Sequence, residues 1–120
     1  MTVRRMKTYT GATGYVYQYY FVGKREALKS EPLAPATEFV FDVSPDRKMV
    51  YAVSVFIQPS ALAAWSGNRG RALAETEQYA AAKMRLFQAF DELDDVLQEG
   101  RRLVVDEENV LELLSSLGLE

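Results

Sequence analysis

The chain has 120 residues, a formal net charge of −3, 48% hydrophobic and 26% charged residues, the balance of a globular protein able to bury one core of its own. It contains neither Cys nor His, which excludes disulfides, thiol nucleophiles, zinc sites built on imidazole or thiolate, and the commonest general base at neutral pH. Any chemistry falls to Lys, Tyr, Ser, Thr, Asp or Glu.

Arg4, Arg5 and Lys7 are followed by Thr8, Tyr9, Thr10 and Gly11 rather than by an apolar run, so no export signal is evident and a cytoplasmic location is expected. The longest apolar stretches, 15–22 and 49–57, have strand length and fall short of the roughly 20 residues of a membrane helix. Charge is unevenly spread. Residues 1–30 hold six Lys/Arg against one Glu, and residues 91–120 hold ten Asp/Glu against two Arg, a polarity that lets the two ends of a fold attract each other.

Residues 1–9 give only a weak strand signal. Residues 14–23, rich in aromatic and β-branched side chains and bounded by Gly14 and Gly23, predict a strand. Period-two alternation puts Tyr15, Tyr17, Tyr19 and Phe21 on one face and Val16, Gln18, Tyr20 and Val22 on the other. Residues 23–36, with Pro32 and Pro35, read as a long connection. Residues 38–43 alternate cleanly, with Phe39, Phe41 and Val43 on one side and Glu38, Val40 and Asp42 on the other. Ser44, Pro45 and Asp46 suit a hairpin loop. With Val43 opposite Met49, the inward set continues as Tyr51, Val53, Val55 and Ile57, leaving Val50, Ala52, Ser54 and Phe56 behind.

Pro59 and Ser60 open a short helix carrying Leu62 and Trp65, and the glycines at 67 and 70 end it before a longer helix over 71–97. On a helical wheel Leu73, Tyr79, Ala80, Ala82, Met84, Leu86, Phe87, Phe90, Leu93 and Leu97 share one broad arc, opposite Gln78, Ala81, Arg85, Gln88 and Glu92. Residues 103–105 suit a short edge strand, and Asp106 is a natural N-cap for a last helix ending near Gly118. The pattern predicts a single α+β domain over 1–120, mainly β over 1–57 and mainly α over 58–120. In it, a three- to four-stranded antiparallel sheet is packed on one face by the long helix and two shorter ones.

The glycines within residues 10–14, together with Tyr79 and Lys83, look like the glycine motif and the Tyr-x-x-x-Lys pair of the short-chain dehydrogenases. In that family the glycines follow a strand and open a helix that holds a pyrophosphate. Here they precede a strand, and Tyr17 stands at the third glycine position, so the pair carries no nucleotide site and no cofactor is implied.

Other constellations are read on their own terms. Lys83 lies on the apolar arc between Tyr79 and Phe87, where a desolvated amine becomes a base or nucleophile, or else packs its stem and pairs with Glu38, Asp42 or Asp94. Arg69 and Arg71 stand at the start of the long helix, where amides and dipole attract an anion but repel cations; Glu75 and Glu77 offset them equally well. Asp91, Glu92, Asp94, Asp95 and Glu99 crowd the other end of that helix against the dipole. Arg101 and Arg102, the basic N-terminal region or a hard divalent cation would compensate them. Without a recognised loop spacing, no metal is assigned.

Tyr17, Tyr19 and their strand neighbours would serve for stacking bases, although no basic stripe accompanies them, so a single-stranded nucleic-acid binder is a secondary reading. The leading expectation comes from the second sheet face. Val16, Tyr20, Val22, Val40, Val50 and Phe56 leave it semi-apolar, and the helices suffice for only one side. A non-catalytic binding or interaction protein follows, covered there by a second copy of itself or another protein. The alternative is a small enzyme or an anion or small-molecule binder using Tyr17, Tyr19, Lys83, Arg69 or Arg71.

Overall fold

The computed structural model describes residues 6–12, 14–27, 35–46, 48–92 and 101–115, apart from the side chains of Asn68 and Arg69. In chain order the elements are β1 (Lys7–Thr10), β2 (Val16–Glu26), β3 (Thr37–Ser44), β4 (Tyr51–Ile57), α1 (Pro59–Arg69), α2 (Glu75–Glu92), β5 (Arg102–Val105) and α3 (Val110–Ser115). The class is α+β, with a five-stranded sheet in the order β1-β2-β3-β4-β5.

The first four strands form an antiparallel meander, and β5 joins β4 in parallel. The sheet is therefore mixed, which corrects the expectation of three or four antiparallel strands. The reason is the route of the chain. After β4 it crosses by way of α1 and α2 before β5 begins, and a crossover of that length returns the next strand in the same direction.

At the hairpin, Val43 pairs with Tyr51 rather than with Met49. The Asp46 Oδ1 accepts the backbone N–H groups of Lys48 and Met49 at 2.9 and 2.8 Å, so the turn uses up residues the strand would otherwise have claimed. The displacement is two residues and parity is kept. Phe39, Phe41, Val43, Tyr51, Val53, Val55 and Ile57 all enter the core. Tyr15 does not. It precedes β2, next to Gly14 at φ 89°, and is 50% exposed.

Helix α1 has Pro at its first position and ends on Gly70 in the left-handed region, whose N–H bonds the Ser66 carbonyl at 2.8 Å. Helix α2 starts at Glu75, four residues later than the sequence pattern suggests. The Glu77 carboxylate reaches back to the Ala74 N–H at 2.9 Å, half of a capping box that fixes the start there. Residues 93–97 of the expected helix lie outside the described residues. Ahead of α3, Asp106 Oδ1 accepts from the Glu108 and Asn109 N–H groups at 2.9 and 3.1 Å, the capping role its sequence position implies.

All three described helices contribute to one core on one face of the sheet. Trp65 of α1, Leu86 and Phe90 of α2, and Val110 and Leu114 of α3 join Phe39, Phe41, Val53 and Val55 there. The contact between sheet and α2 is aromatic. Tyr17 stacks on Phe90 at 4.2 Å between centroids, Tyr9 stacks on Phe87 at 4.1 Å, and Phe21 meets Tyr79 edge-on at 4.8 Å. Such pairs contribute about 0.5–1.5 kcal/mol each beyond area burial.

One flank of α2 is more deeply covered than the wheel allows. Ala81 is 1% exposed, and the Arg85 Nε donates to the Val104 carbonyl at 3.1 Å, because β5 and α3 pack along that flank. Burial holds the Arg85 guanidinium below its ordinary pKa, the charges of Glu92 and Asp106 opposing. No described helix is long and apolar enough to cross a membrane.

Candidate functional site

The face of the sheet turned away from the helices has two unlike halves. One half is open and largely apolar: Val16, Val22 and Val50 are 43%, 47% and 53% exposed, Tyr20 and Val40 are half-buried, and Gln18 and Asp42 share the face with them, whereas Tyr15 turns its ring to the core-face Tyr17, 4.9 Å between centroids. The other half is a polar cleft of about 400 Å³ lined by Arg25, Glu38, Ala52, Ser54, Phe56, Arg101 and Arg102.

Arg25 reaches this face because of a bulge. Phe21 pairs with Phe41, and the next pair is Gly23 with Val40, so Val22 is an extra residue that reverses the alternation of the rest of β2. Lys24 consequently turns to the helix side, where its Nζ lies 3.2 Å from Glu75 Oε1. Arg25 turns to the open side, paired in register with Glu38. A Cβ at Gly23 would meet nothing within 4 Å, so the bulge is free of crowding.

Glu38 is the centre of the cleft. It is 5% exposed, its Oε1 accepts from Arg25 Nε at 2.8 Å and its Oε2 from the Ser54 hydroxyl at 2.6 Å. Burial pushes its carboxyl up, yet the bonds from Ser54 and Arg25 and the charges of Arg25 and Arg102 outweigh that and hold it below the ordinary value. Arg102 pairs in register with Ser54 across β4 and β5, and Arg101 Nε donates to the Ala52 carbonyl at 3.2 Å. Arg25 and Arg102 are thus the cations whose charge acts on Glu38, while the Arg101 guanidinium also lies 5.8 Å from the Tyr51 ring.

The Ser54–Glu38 bond has the form of a nucleophile and its base. A carboxylate held acidic and already bonded to a guanidinium is a weak base, however, so the contact anchors Glu38 rather than activating Ser54.

Phe56, expected among the open-face apolar residues, is 2% exposed. It lies in register between Glu38 and Val104 and forms the floor of the cleft, so it offers no surface for docking. Tyr17 and Tyr19 are each 4% exposed in the core, and Phe90 and Phe87 cover their rings, which leaves no face for a ligand or a base. Lys83 is half-buried on the same side, its Nζ 5.8 Å from the Tyr19 ring and 5.7 Å from that of Phe87. It lies across the sheet from Glu38 and Asp42.

Arg71 is held twice. It forms two parallel bonds to Glu77 at 2.7 and 2.8 Å and lies over the Trp65 ring at 4.6 Å. The Arg69 side chain lies outside the described residues, as do Asp94, Asp95 and Glu99. Asp91 is engaged by Tyr9 and the Ala12 N–H, and among the described residues no group of three acidic side chains is placed to hold a metal ion.

Sequence reasoning missed the cleft itself. Arg101 and Arg102 read there as counter-charges to the acidic helix end, and Arg25 as part of a loop. The usable signal was Glu38, a carboxylate next to Phe39 on a buried strand, which needs cations nearby. No protein-family model matches this chain, and neither does any curated protein or solved structure.

Proposed function

We propose that the chain is a non-catalytic binding protein whose working surface is the open sheet face, with a second copy of the chain as its partner. The observation that supports this reading is the exposure of Val16, Val22 and Val50, 43–53% each, on the face opposite the helices. Apolar residues grouped in this way mark contact surfaces, and a two-fold arrangement lets one patch cover itself. A stable dimer buries about 800 Å² per partner, more than three valines supply, so the contact takes in Tyr20, Val40 and the polar Gln18 and Asp42 of the same face as well.

Sedimentation or light scattering across a wide concentration range tests the reading. The native protein is expected to run as a dimer, and the double variant Val22→Lys, Val50→Lys as a folded monomer. A native protein that stays monomeric at every concentration would refute it.

The cleft favours a second reading, an anion or small-molecule binder, for which a concavity of about 400 Å³ lined by Arg25, Arg101 and Arg102 is the supporting observation.

A further inference from the structure

We infer that the concavity where Lys7 of β1, the middle of β2 and Tyr79 of α2 meet is a binding site for a small aromatic carboxylate, which accepts a hydrogen bond from the Tyr19 hydroxyl and lays its ring against Phe21 and Tyr79.

The first observation is a hydroxyl without a partner. Tyr19 is 4% exposed, yet among the described residues nothing bonds its hydroxyl. Buried polar groups are nearly always paired, because an unmade bond is costly. Burial pushes this hydroxyl above the ordinary tyrosine pKa, so it is a neutral donor at physiological pH. The ring itself is taken, by Phe87 edge-on at 5.3 Å and by the Lys83 Nζ at 5.8 Å from its centroid. What a ligand can meet is the hydroxyl. Tyr19 lines a concavity of about 180 Å³ with Lys7, Tyr20, Phe21 and Tyr79. The polar side-chain atoms sealed without a partner are Ser44 Oγ and Trp65 Nε1, so the Tyr19 hydroxyl is not shut in as those are. The Tyr79 hydroxyl, in the same lining, also has no hydrogen-bond partner among the described residues.

Charge sets the kind of acceptor. Lys7 is paired in register with Tyr19, and Lys83 stands one turn along α2 from Tyr79. Among the described residues neither ammonium has a carboxylate partner; Lys83 has only the rings of Tyr19 and Phe87. The acids flanking this stretch of α2 are engaged elsewhere, Glu75 by Lys24 at 3.2 Å and Asp91 by Tyr9 and the Ala12 N–H. A carboxylate at Tyr19 makes a charge-assisted bond and is attracted by both lysines.

The walls choose the rest of the molecule. Phe21 and Tyr79 meet edge-on at 4.8 Å and also line an adjoining concavity of about 250 Å³ that reaches the buried Phe39. An apolar body beyond the carboxylate therefore lies against aromatic rings. Each volume is below the roughly 300–1,000 Å³ of drug-sized sites, which limits the ligand to a single ring.

The site goes beyond the two-fold contact proposed above. It involves none of Val16, Val22 and Val50, so it stands whether or not the chain dimerises.

The test is titration of the full chain with benzoate and, separately, with benzamide and with acetate, each against chloride at matched ionic strength, followed by NMR shifts and melting temperature. Benzoate is expected to shift Lys7, Tyr19, Phe21 and Tyr79 above all other residues and to raise the melting temperature beyond chloride. Benzamide, which has the ring without the charge, and acetate, which has the charge without the ring, should each bind about 10-fold or more weakly. Tyr19→Phe should weaken benzoate about 10-fold and leave the melting temperature of the unliganded protein no lower than the parent's, since the hydroxyl makes no bond within the fold. A lower one would show that the hydroxyl already has a partner and would overturn the proposal. So would benzoate shifts no larger than those of chloride, equal affinity for benzamide and benzoate, or equal affinity in Tyr19→Phe and the parent when both retain native circular dichroism.

Discussion

The Tyr9 hydroxyl lies 2.9 Å from each carboxylate oxygen of Asp91, tying the first strand to the last turn of α2. The Ala12 N–H reaches the same carboxylate at 2.8 Å. An acidic side chain at a helix C-terminus is opposed by the macrodipole, and these two donors from the β1–β2 region supply the compensation.

Tyr9→Phe keeps the ring stacked on Phe87 and removes the hydroxyl, so it should destabilise the fold by about 1 kcal/mol, read as a shift in urea midpoint. Burial, then the bond and the charge of Asp91, push the Tyr9 hydroxyl above its usual pKa. A raised folded value means that the contribution is complete below about pH 10 and is lost as pH rises through the folded value. The gap between parent and variant should hold from pH 7 to about 10 and close above it. A gap indifferent to alkaline pH would show that the bond contributes nothing.

The same loop gives a steric prediction. A Cβ on Gly11 would stand 2.9 Å from the Phe90 carbonyl oxygen, a backbone atom that cannot move aside, whereas one on Gly14 meets nothing within 4 Å but sits at φ +89°. Gly11→Ala should therefore cost about 1–3 kcal/mol by overpacking, and Gly14→Ala about 1–2 kcal/mol by backbone strain alone. Combining Gly11→Ala with Phe90→Leu should not relieve the first cost, because the contact is with main chain.

How much of this was legible in the sequence depends on whether a feature is local. The alternation of Phe39, Phe41 and Val43, and of Tyr51, Val53, Val55 and Ile57, appears directly in the core, because a two-residue period survives any error in the hairpin loop that is itself a multiple of two. The parity of β2 beyond Phe21 was not legible, since one extra residue at Val22 reverses every side chain after it and Gly23 reads equally well as a strand end. The direction of β5 was hidden for another reason. Four residues carry no mark of parallel or antiparallel pairing, which the α1–α2 crossover decides. The cleft inherits both difficulties: Arg25 depends on the bulge, and Arg101 and Arg102 on the edge strand, so nothing in the sequence places them together. The open apolar patch was legible in Val16, Val22 and Val50, which remain exposed, and not in Phe56, whose burial comes from the cleft.

Trp65 is the sole tryptophan of the chain and 0% exposed, which makes it a direct reporter of the Arg71–Glu77 clamp. Bonds from Arg71, then from the Ala74 N–H, lower the Glu77 carboxyl to about 2. A depressed folded value gives a contribution present above the unfolded value, near 4.3, and lost as pH falls through the folded one. Arg71→Ala should shift Trp65 emission to the red at neutral pH and lower the urea midpoint. That difference from the parent should fade between about pH 4.5 and 2. An unchanged emission maximum would mean that Arg71 does not cover the indole in solution.

Glu38→Gln keeps the size of the side chain and removes the only carboxylate among the described residues lining the cleft. Removing one partner of a buried ion pair costs about 3–5 kcal/mol, but the Arg25 side chain is 57% exposed and its charge is screened, so a loss of about 2 kcal/mol is expected. The native carboxyl is held below its ordinary value, so this contribution is present above about pH 4.3 and is lost as pH falls through the folded value; parent and variant should converge in acid. Urea midpoints of both proteins followed from neutral pH into acid check this, and a difference that persists undiminished in acid would show that the Glu38 carboxylate contributes nothing.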